Sequence, residues 1–320
     1  YLFINHNFEK KIFYNFFKKN NIKILFTASY TAHPIISSAI AALKKLNGTS
    51  FGSTMSFSEH YNSHLNIDAC DYFFSFNNAN HNILKNSNLK KIISLGYFPD
   101  YKFSLKKNES AELRKKLLST GAKYVIGFFD QGSLDDKMFS IGHSPSRLGY
   151  KFLLEKILND KKFALIIKPK KPKLIQNKLG NTYELLKKAI ETKRCIIFDS
   201  YHETHVKNFH DIPAKVAMAS DITIHDTLLA GTAGLESALT GTKSVFFDYY
   251  NANNSQFDEK SLNIVYRDWN VLWDEILKDS SGNSSKNFGN WNQIIDKFDK
   301  YRDGKANLRV MNFIEKFVSE

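Results

Sequence analysis

Several things are scarce in this chain of 320 residues, and each scarcity removes a class of protein. There are two cysteines, Cys70 and Cys195, far apart and each beside an apolar segment. That excludes a disulfide-stapled scaffold and points to two buried thiols in a reducing compartment. Six prolines and 15 glycines form no proline-rich tract or low-complexity linker, and no internal repeat is present. No apolar run reaches the ~18 residues of a membrane-spanning helix. The opening Tyr1-Leu-Phe-Ile-Asn-His6 has no basic leader, and Asn5 and His6 interrupt its apolar residues, so it does not read as a signal peptide. It also lacks an initiating methionine, and the chain is expected to be a piece of something longer. Acid is scarcer than base, 32 residues against 45, for a formal charge of +13. A basic balance suits nucleic acid, an anionic membrane surface or an anionic substrate. Here the basic residues are spread along the chain and form no recognised nucleic-acid module, so nucleic acid is not an expected partner.

What is present is enough for about two domains with real cores, since 42% of the residues are apolar. The second half alternates strands and helices. Tyr124–Phe129, Phe163–Ile167, Cys195–Phe198, Ile222–Ile224 and Ser244–Phe247 are short apolar runs of the kind buried on both faces of a sheet. Between them lie helical stretches over Ser146–Leu158, Asn181–Lys193 with Asn181 as N-cap, and Pro213–Ala219. This alternation predicts a parallel sheet with right-handed crossovers. The first hundred residues repeat the pattern with strands over Lys23–Thr27, Ser50–Phe57 and Asp71–Phe76 and another near Lys91. Helices are expected over Ile35–Leu46 and Ala79–Lys85, and the polar stretch from Asp100 to Gly121 is helical near Ala111–Leu118.

The richest motif runs Asp221-Ile-Thr-Ile-His-Asp226, then Gly231-Thr-Ala-Gly-Leu-Glu236, then Gly241-Thr-Lys-Ser-Val-Phe-Phe-Asp248. It reads as strand, small-residue turn, helix and strand. Gly231, Thr232, Ala233 and Gly234 let the backbone approach a bound group, and the helix start aims free N–H groups at it. Glu236 is placed in the first turn, within reach of a sugar hydroxyl. A glycine-rich turn that merely joins strand to helix is the plainer reading of the same residues.

Together with Leu95-Gly-Tyr-Phe-Pro99 and Ile166-Ile-Lys-Pro-Lys170, this motif resembles the GT-B glycosyltransferases of bacterial surface-polysaccharide biosynthesis. In that likeness Gly241-Thr-Lys replaces the family's usual Gly-Lys-Pro, and Lys170 stands where a His often does. The resemblance implies an α/β fold of two Rossmann-like parallel-sheet domains facing a cleft. It assigns residues 1–98 to an acceptor-side domain, expected to be incomplete, 99–122 to a linker, 123–303 to a donor domain and 304–320 to a C-terminal helix. It implies a metal-independent transferase with no cofactor, taking a nucleotide-sugar as co-substrate and a glycan or lipid-linked acceptor. Glycerol-phosphate transfer and UDP-sugar 2-epimerisation use the same scaffold and stay open. So does a non-catalytic binding protein with a degenerate fold.

The donor-site candidates are Gly231, Thr232, Ala233 and Gly234 on phosphate and Glu236 on ribose. Lys168 and Lys170, at a strand end, are candidates to neutralise the departing nucleotide. Gln131, Gly132, His202 and His225 also follow strand ends and complete the donor set. Glu59, His60 and His33 are candidates for the base that takes the acceptor's proton. His202-Glu-Thr-His205 has the wrong spacing for a helical zinc motif, so no metal is expected. Tyr249 and Tyr250 are weighed as pocket aromatics. The Phe-rich, Lys-interleaved start is expected either to pack in the first domain or to lie on a membrane surface, which sets the expected location as cytoplasmic, at the inner face of the membrane.

Overall fold

The computed structural model describes residues 2–28, 34–53, 70–76, 90–133, 142–198, 212–228, 231–251, 257 and 261–318, with residues 2–5 described by backbone alone. The chain divides into two compact units, residues 1–102 with 294–320, and residues 103–293.

The first unit opens with α1 (Leu2–Lys19), β1 (Ile24–Thr27), α2 (Pro34–Lys44), β2 (Thr49–Ser53), β3 (Tyr72–Ser75) and β4 (Lys91–Ser94). Its four strands lie in sequence order β1-β2-β3-β4, all parallel, with Phe51 opposite both Phe26 and Tyr72. The strand expected over Ser50–Phe57 is described as far as Ser53, and the helix expected over Ala79–Lys85 lies outside the described residues. Phe17 of α1 packs with Ala39, Ala42 and Leu43 of α2, so the two helices share one small core.

α3 (Tyr101–Leu118) carries the chain into the second unit and is longer than the Ala111–Leu118 stretch that the sequence suggests. There follow β5 (Tyr124–Phe129), α4 (His143–Asn159), β6 (Phe163–Lys168), α5 (Ile175–Leu179), α6 (Tyr183–Glu191) and β7 (Cys195–Ile197). Then come α7 (Pro213–Ala219), β8 (Ile222–His225), α8 (Thr232–Leu239), β9 (Lys243–Phe247), β10 (Val265–Tyr266) and α9 (Trp269–Ser280). Asn181 does not cap α6. It sits inside a 3-10 turn over Gly180–Thr182, and no side chain caps the helix start.

All six residues of β5 are buried because helices cover both faces of the sheet. Tyr124, Ile126 and Phe128 meet Tyr150, Leu153 and Ile157 on one side; Val125 and Phe129 meet Leu117, Val216 and Ala219 on the other. Burying a side chain such as Phe128 or Phe163 completely contributes about 1.5–3 kcal/mol. Two arginines tie the layers. Arg114 grips both oxygens of Asp221 at 2.8 and 3.1 Å, joining α3 to the start of β8. Arg194 donates to the carbonyls of Ile157, Asp160 and Phe163, clamping the end of α4 to β6. Cys70 and Cys195 are both buried and are not joined by a disulfide, and burial pushes the Cys195 thiol up to about 12.

The six strands are parallel in the order β10-β9-β8-β5-β6-β7. From β5 the chain builds outward through β6 and β7, then returns to place β8 on the other side of β5. This is the doubly wound order, reversing between β5 and β8, and such folds bind ligands at that switch point, at the carboxyl ends of the strands.

The chain then returns to the first unit through α10 (Ile295–Phe298) and α11 (Ala306–Glu315). Asp299 accepts a hydrogen bond from the Tyr97 amide at 2.9 Å beside Gly96, whose φ of +92° favours glycine. Phe313 and Phe317 pack against Phe51 and Tyr72, so the C-terminal helix supplies part of the first sheet's core.

Candidate functional site

The register of the second sheet lines up one row of residues at its carboxyl edge. Lys168 of β6 pairs with Phe129 of β5, Phe129 with His225 of β8, and His225 with Phe246 of β9. At roughly 4.8 Å between strands, Lys168 and His225 stand about 10 Å apart. The segments leaving these strands carry Lys170, Gln131 and Gly132, and Asp226 to Leu228, followed by the turn at Gly231. Lys170 is exposed, and a Cβ built on Gly132 would lie 3.4 Å from the Lys170 and Lys171 side chains. The Lys170 and Lys171 side chains thus lie over Gly132.

Beneath this edge the loops are pinned by two buried carboxylates. Asp130 accepts from the Lys170 amide at 2.6 Å through one oxygen, and from Lys178 Nζ at 2.7 Å and the Tyr150 hydroxyl at 2.9 Å through the other. Lys178 also donates to the Gln131 carbonyl at 2.7 Å. Asp226 accepts from the Gln131 amide and from the Ser146 hydroxyl, each at 2.6 Å. The brace ties β5, β8, α4 and α5 together at the switch point. It positions Gln131, Gly132 and Lys170.

Burial, and next the Asp130 carboxylate, push the Asp226 carboxyl up to about 7. The folded protein therefore holds this proton more tightly than the unfolded chain, where an aspartate titrates near ~3.9. Its contribution to stability is complete below that pH and is lost as pH rises through about 7. Asp226→Asn cannot ionise, so its stability should improve relative to wild type as pH is raised through that window. Urea denaturation of both proteins across the window checks this; a constant difference would contradict it.

His225 is buried at the end of β8, and its Nδ1 lies 2.8 Å from the Thr227 carbonyl. A carbonyl can only accept, so Nδ1 carries the proton. Burial pushes the imidazole down to about 4, and the nearby Lys170 ammonium acts in the same sense. At neutral pH His225 is uncharged with its lone pair on Nε2.

Gly231 is the N-cap of α8 and has no side chain with which to cap it, and Thr232, Ala233 and Gly234 form its first turn. Gly234 is also a packing requirement, because a Cβ there would fall 2.7 Å from the Phe246 ring. Glu236 is not in the first turn of α8; it lies one turn further in and is 3% exposed. Its Oε1 accepts from the Ala214 amide at 2.7 Å, capping the start of α7 just after Pro213. The carboxylate thus holds the α7 and α8 starts together.

The structure therefore gathers Lys168, Lys170, Gln131, Gly132, His225 and the Gly231–Gly234 turn at one edge of one sheet. Glu59, His60, His33 and His202 lie outside the described residues. Tyr249 is packed into the core, against Phe247 and within 2.7 Å of the space a Gly149 side chain would fill, whereas Tyr250 is 50% exposed. Sequence reasoning missed Lys178, Tyr150 and Ser146. An aspartate following each of two buried strands was the one available signal for the brace. Among the described residues, no cluster of His, Cys, Asp or Glu could hold a metal ion, and no helix is long and apolar enough to cross a membrane.

No protein-family model matches the sequence, and no curated protein matches it. Solved structures do match. The S. aureus MnaA–UDP structure aligns with 100% of this chain and 82% of its own at TM-score 0.62 and 11% identity. A variant of the wall teichoic acid polymerase TagF soaked with CDPG covers 93% of this chain and 72% of its own at TM-score 0.60 and 15% identity. Anabaena HepE in complex with UDP and glucose covers 93% and 79% at TM-score 0.52 and 12% identity. At these identities the likeness is one of fold. The chain has a GT-B-type fold, with four parallel strands in its first unit and six in its second among the described residues.

Proposed function

We propose that this protein is a metal-independent glycosyltransferase of surface-polysaccharide assembly, moving a sugar from a nucleotide-sugar to a glycan or lipid-linked acceptor. The carboxyl edge at the β5–β8 switch point carries the reading. There the first turn of α8, two lysines beside Gly132 and a neutral imidazole stand at one edge of the sheet. A nucleotide diphosphate fits that chemistry: helix amides and ammonium groups favour phosphate oxygens, and they stabilise the charge that builds as the sugar leaves. In the transfer step the acceptor oxygen attacks the anomeric carbon and the carbon–oxygen bond to phosphate breaks. The bonding pair leaves on the nucleotide, and the acceptor's proton passes to a base, for which Glu59, His60 and His33 are the candidates. UDP in two of the similar structures supports a uridine nucleotide.

A second reading, glycerol-phosphate transfer or sugar 2-epimerisation, draws support from the likeness to the teichoic acid polymerase and to a UDP-N-acetylglucosamine 2-epimerase. Incubation with UDP-sugars and with CDP-glycerol, each with and without a glycan acceptor, separates the three. Acceptor-dependent UDP release supports sugar transfer. A changed sugar without acceptor means epimerisation, and consumption of CDP-glycerol alone means glycerol-phosphate transfer.

Lys170→Ala should weaken nucleotide binding about tenfold, the worth of a charge-assisted contact. It should leave the melting temperature unchanged, since the side chain is exposed and the Asp130 contact uses the backbone amide. Calorimetric titration checks this, and unchanged affinity would remove Lys170 from the site.

A further inference from the structure

A cluster in the first unit joins one hydroxyl to two titratable side chains. Ser38 Oγ of α2 lies 2.7 Å from His6 Nδ1, 3.0 Å from Glu9 Oε2 and 2.8 Å from the Pro34 carbonyl. His6 and Glu9 are neighbours across one turn of α1, so both reach α2 from the same face. Chain direction places the cluster. α1 runs into β1 and α2 leaves it, and Phe17 near the end of α1 packs with Leu43 near the end of α2. The two helices therefore run the same way and begin at the carboxyl edge of the first sheet, the edge where α/β folds bind ligands.

Proton counting gives the direction of the bonds. Ser38 has one hydroxyl proton, and the Glu9 carboxylate and Pro34 carbonyl can only accept it. The oxygen's lone pairs remain to accept, so His6 Nδ1 is the donor. The chain runs from His6 Nδ1–H to Ser38 Oγ–H to the Glu9 carboxylate. This leaves the imidazole lone pair on Nε2, and no group among the described residues meets that atom. His6 is partly exposed, whereas Ser38 is 0% exposed. A serine so buried does not reach a substrate, so it bridges the other two groups and is no nucleophile. Its bond to Pro34 alone would satisfy the hydroxyl, and helix packing asks for neither an imidazole nor a carboxylate beside it.

We propose that His6 is the base that takes the acceptor's proton, with Ser38 and Glu9 as its positioning residues. The assignment rests on the transferase reading above and names a group other than Glu59, His60 and His33. As the acceptor oxygen attacks the anomeric carbon, its proton passes to His6 Nε2. The carbon–oxygen bond to phosphate breaks, and its electron pair leaves on the nucleotide. The imidazolium keeps its Nδ1 proton on Ser38, and through that hydroxyl its charge faces Glu9. Once product has left, the Nε2 proton passes to water.

The test uses the full chain in two arms. Nitrogen-edited NMR in alkaline buffer reads the tautomer: His6 should carry its proton on Nδ1, and Ser38→Ala should give a mixture of the two forms. Turnover is read as UDP release from UDP-glucose and UDP-N-acetylglucosamine with a glycan acceptor. His6→Gln should lower it about a hundredfold or more. UDP affinity and melting temperature should stay as in wild type, because the glutamine amide can still donate to Ser38. Ser38→Ala and Glu9→Gln should each lower kcat about tenfold with KM unchanged, the loss of an interaction made only in the transition state. Undiminished release by His6→Gln, or a wild-type His6 protonated on Nε2, would overturn the assignment and leave the transferase reading standing. A wild-type protein that binds UDP yet releases none from either sugar would overturn the transferase reading, and this base with it.

Discussion

Replacing Lys178 by methionine should lower the unfolding free energy by about 3–5 kcal/mol, the cost of leaving a buried charge without its partner. The Lys178 and Asp130 side chains are 1% and 0% exposed and meet at 2.7 Å. Methionine fills similar space but supplies neither the ammonium for Asp130 nor the donor for the Gln131 carbonyl. Tyr150 and the Lys170 amide would remain as neutral donors to a carboxylate that water does not reach. Adding Asp130→Asn to Lys178→Met should restore part of the loss, since the uncompensated charge then disappears while a side-chain oxygen still accepts from Lys170. Urea midpoints of wild type and the two variants measure both effects. A loss under about 1 kcal/mol for Lys178→Met would mean that the pair is solvated and contributes as weakly as a surface ion pair.

Glu236 should separate into two roles by substitution. Glu236→Ala removes the acceptor for the Ala214 amide at a buried helix start, which costs about 1–3 kcal/mol, and it removes any contact to ribose. Glu236→Gln keeps an oxygen for Ala214 but loses the negative charge proposed to meet the ribose. The glutamine protein should melt close to wild type yet bind nucleotide about tenfold more weakly, the size of one lost charge-assisted contact. Thermal melting and calorimetric titration of both variants check this. If the glutamine protein binds as wild type does, Glu236 serves only to hold α7 and α8 together.

Each of these positions shows where the sequence could and could not be read. The strands of the second unit were legible because burial on both faces leaves an uninterrupted apolar run, as in Tyr124–Phe129. β10 has only two residues, too few for any pattern, and it joins the sheet by pairing with β9. Asn181 has the chemistry of an N-cap, but the preceding Gly180 at φ +53° starts a 3-10 turn and carries Asn181 into it. Glu236 is expected in the first turn of α8 but lies one turn further in, and its partner Ala214 is 22 residues away in sequence. The Asp130–Lys178 pair spans 48 residues, and a lysine on a short helix gives no local sign that it will be buried. Pattern reveals which faces are apolar; pairing between distant polar groups depends on topology, here on the return of the chain to place β8 beside β5.

The central claim, that the edge at the β5–β8 switch point takes a nucleotide, is tested most directly by thermal-shift titration with UDP, GDP, CDP and CMP in the absence of added metal. A ligand of the folded state raises the melting temperature by mass action, by an amount equivalent to about 2.7 kcal/mol at a hundred times its Kd. The account predicts a saturable rise with one nucleotide, UDP foremost, that is weakened in Lys170→Ala. No rise with any of the four, or an equal rise in the Lys170→Ala protein, would contradict it.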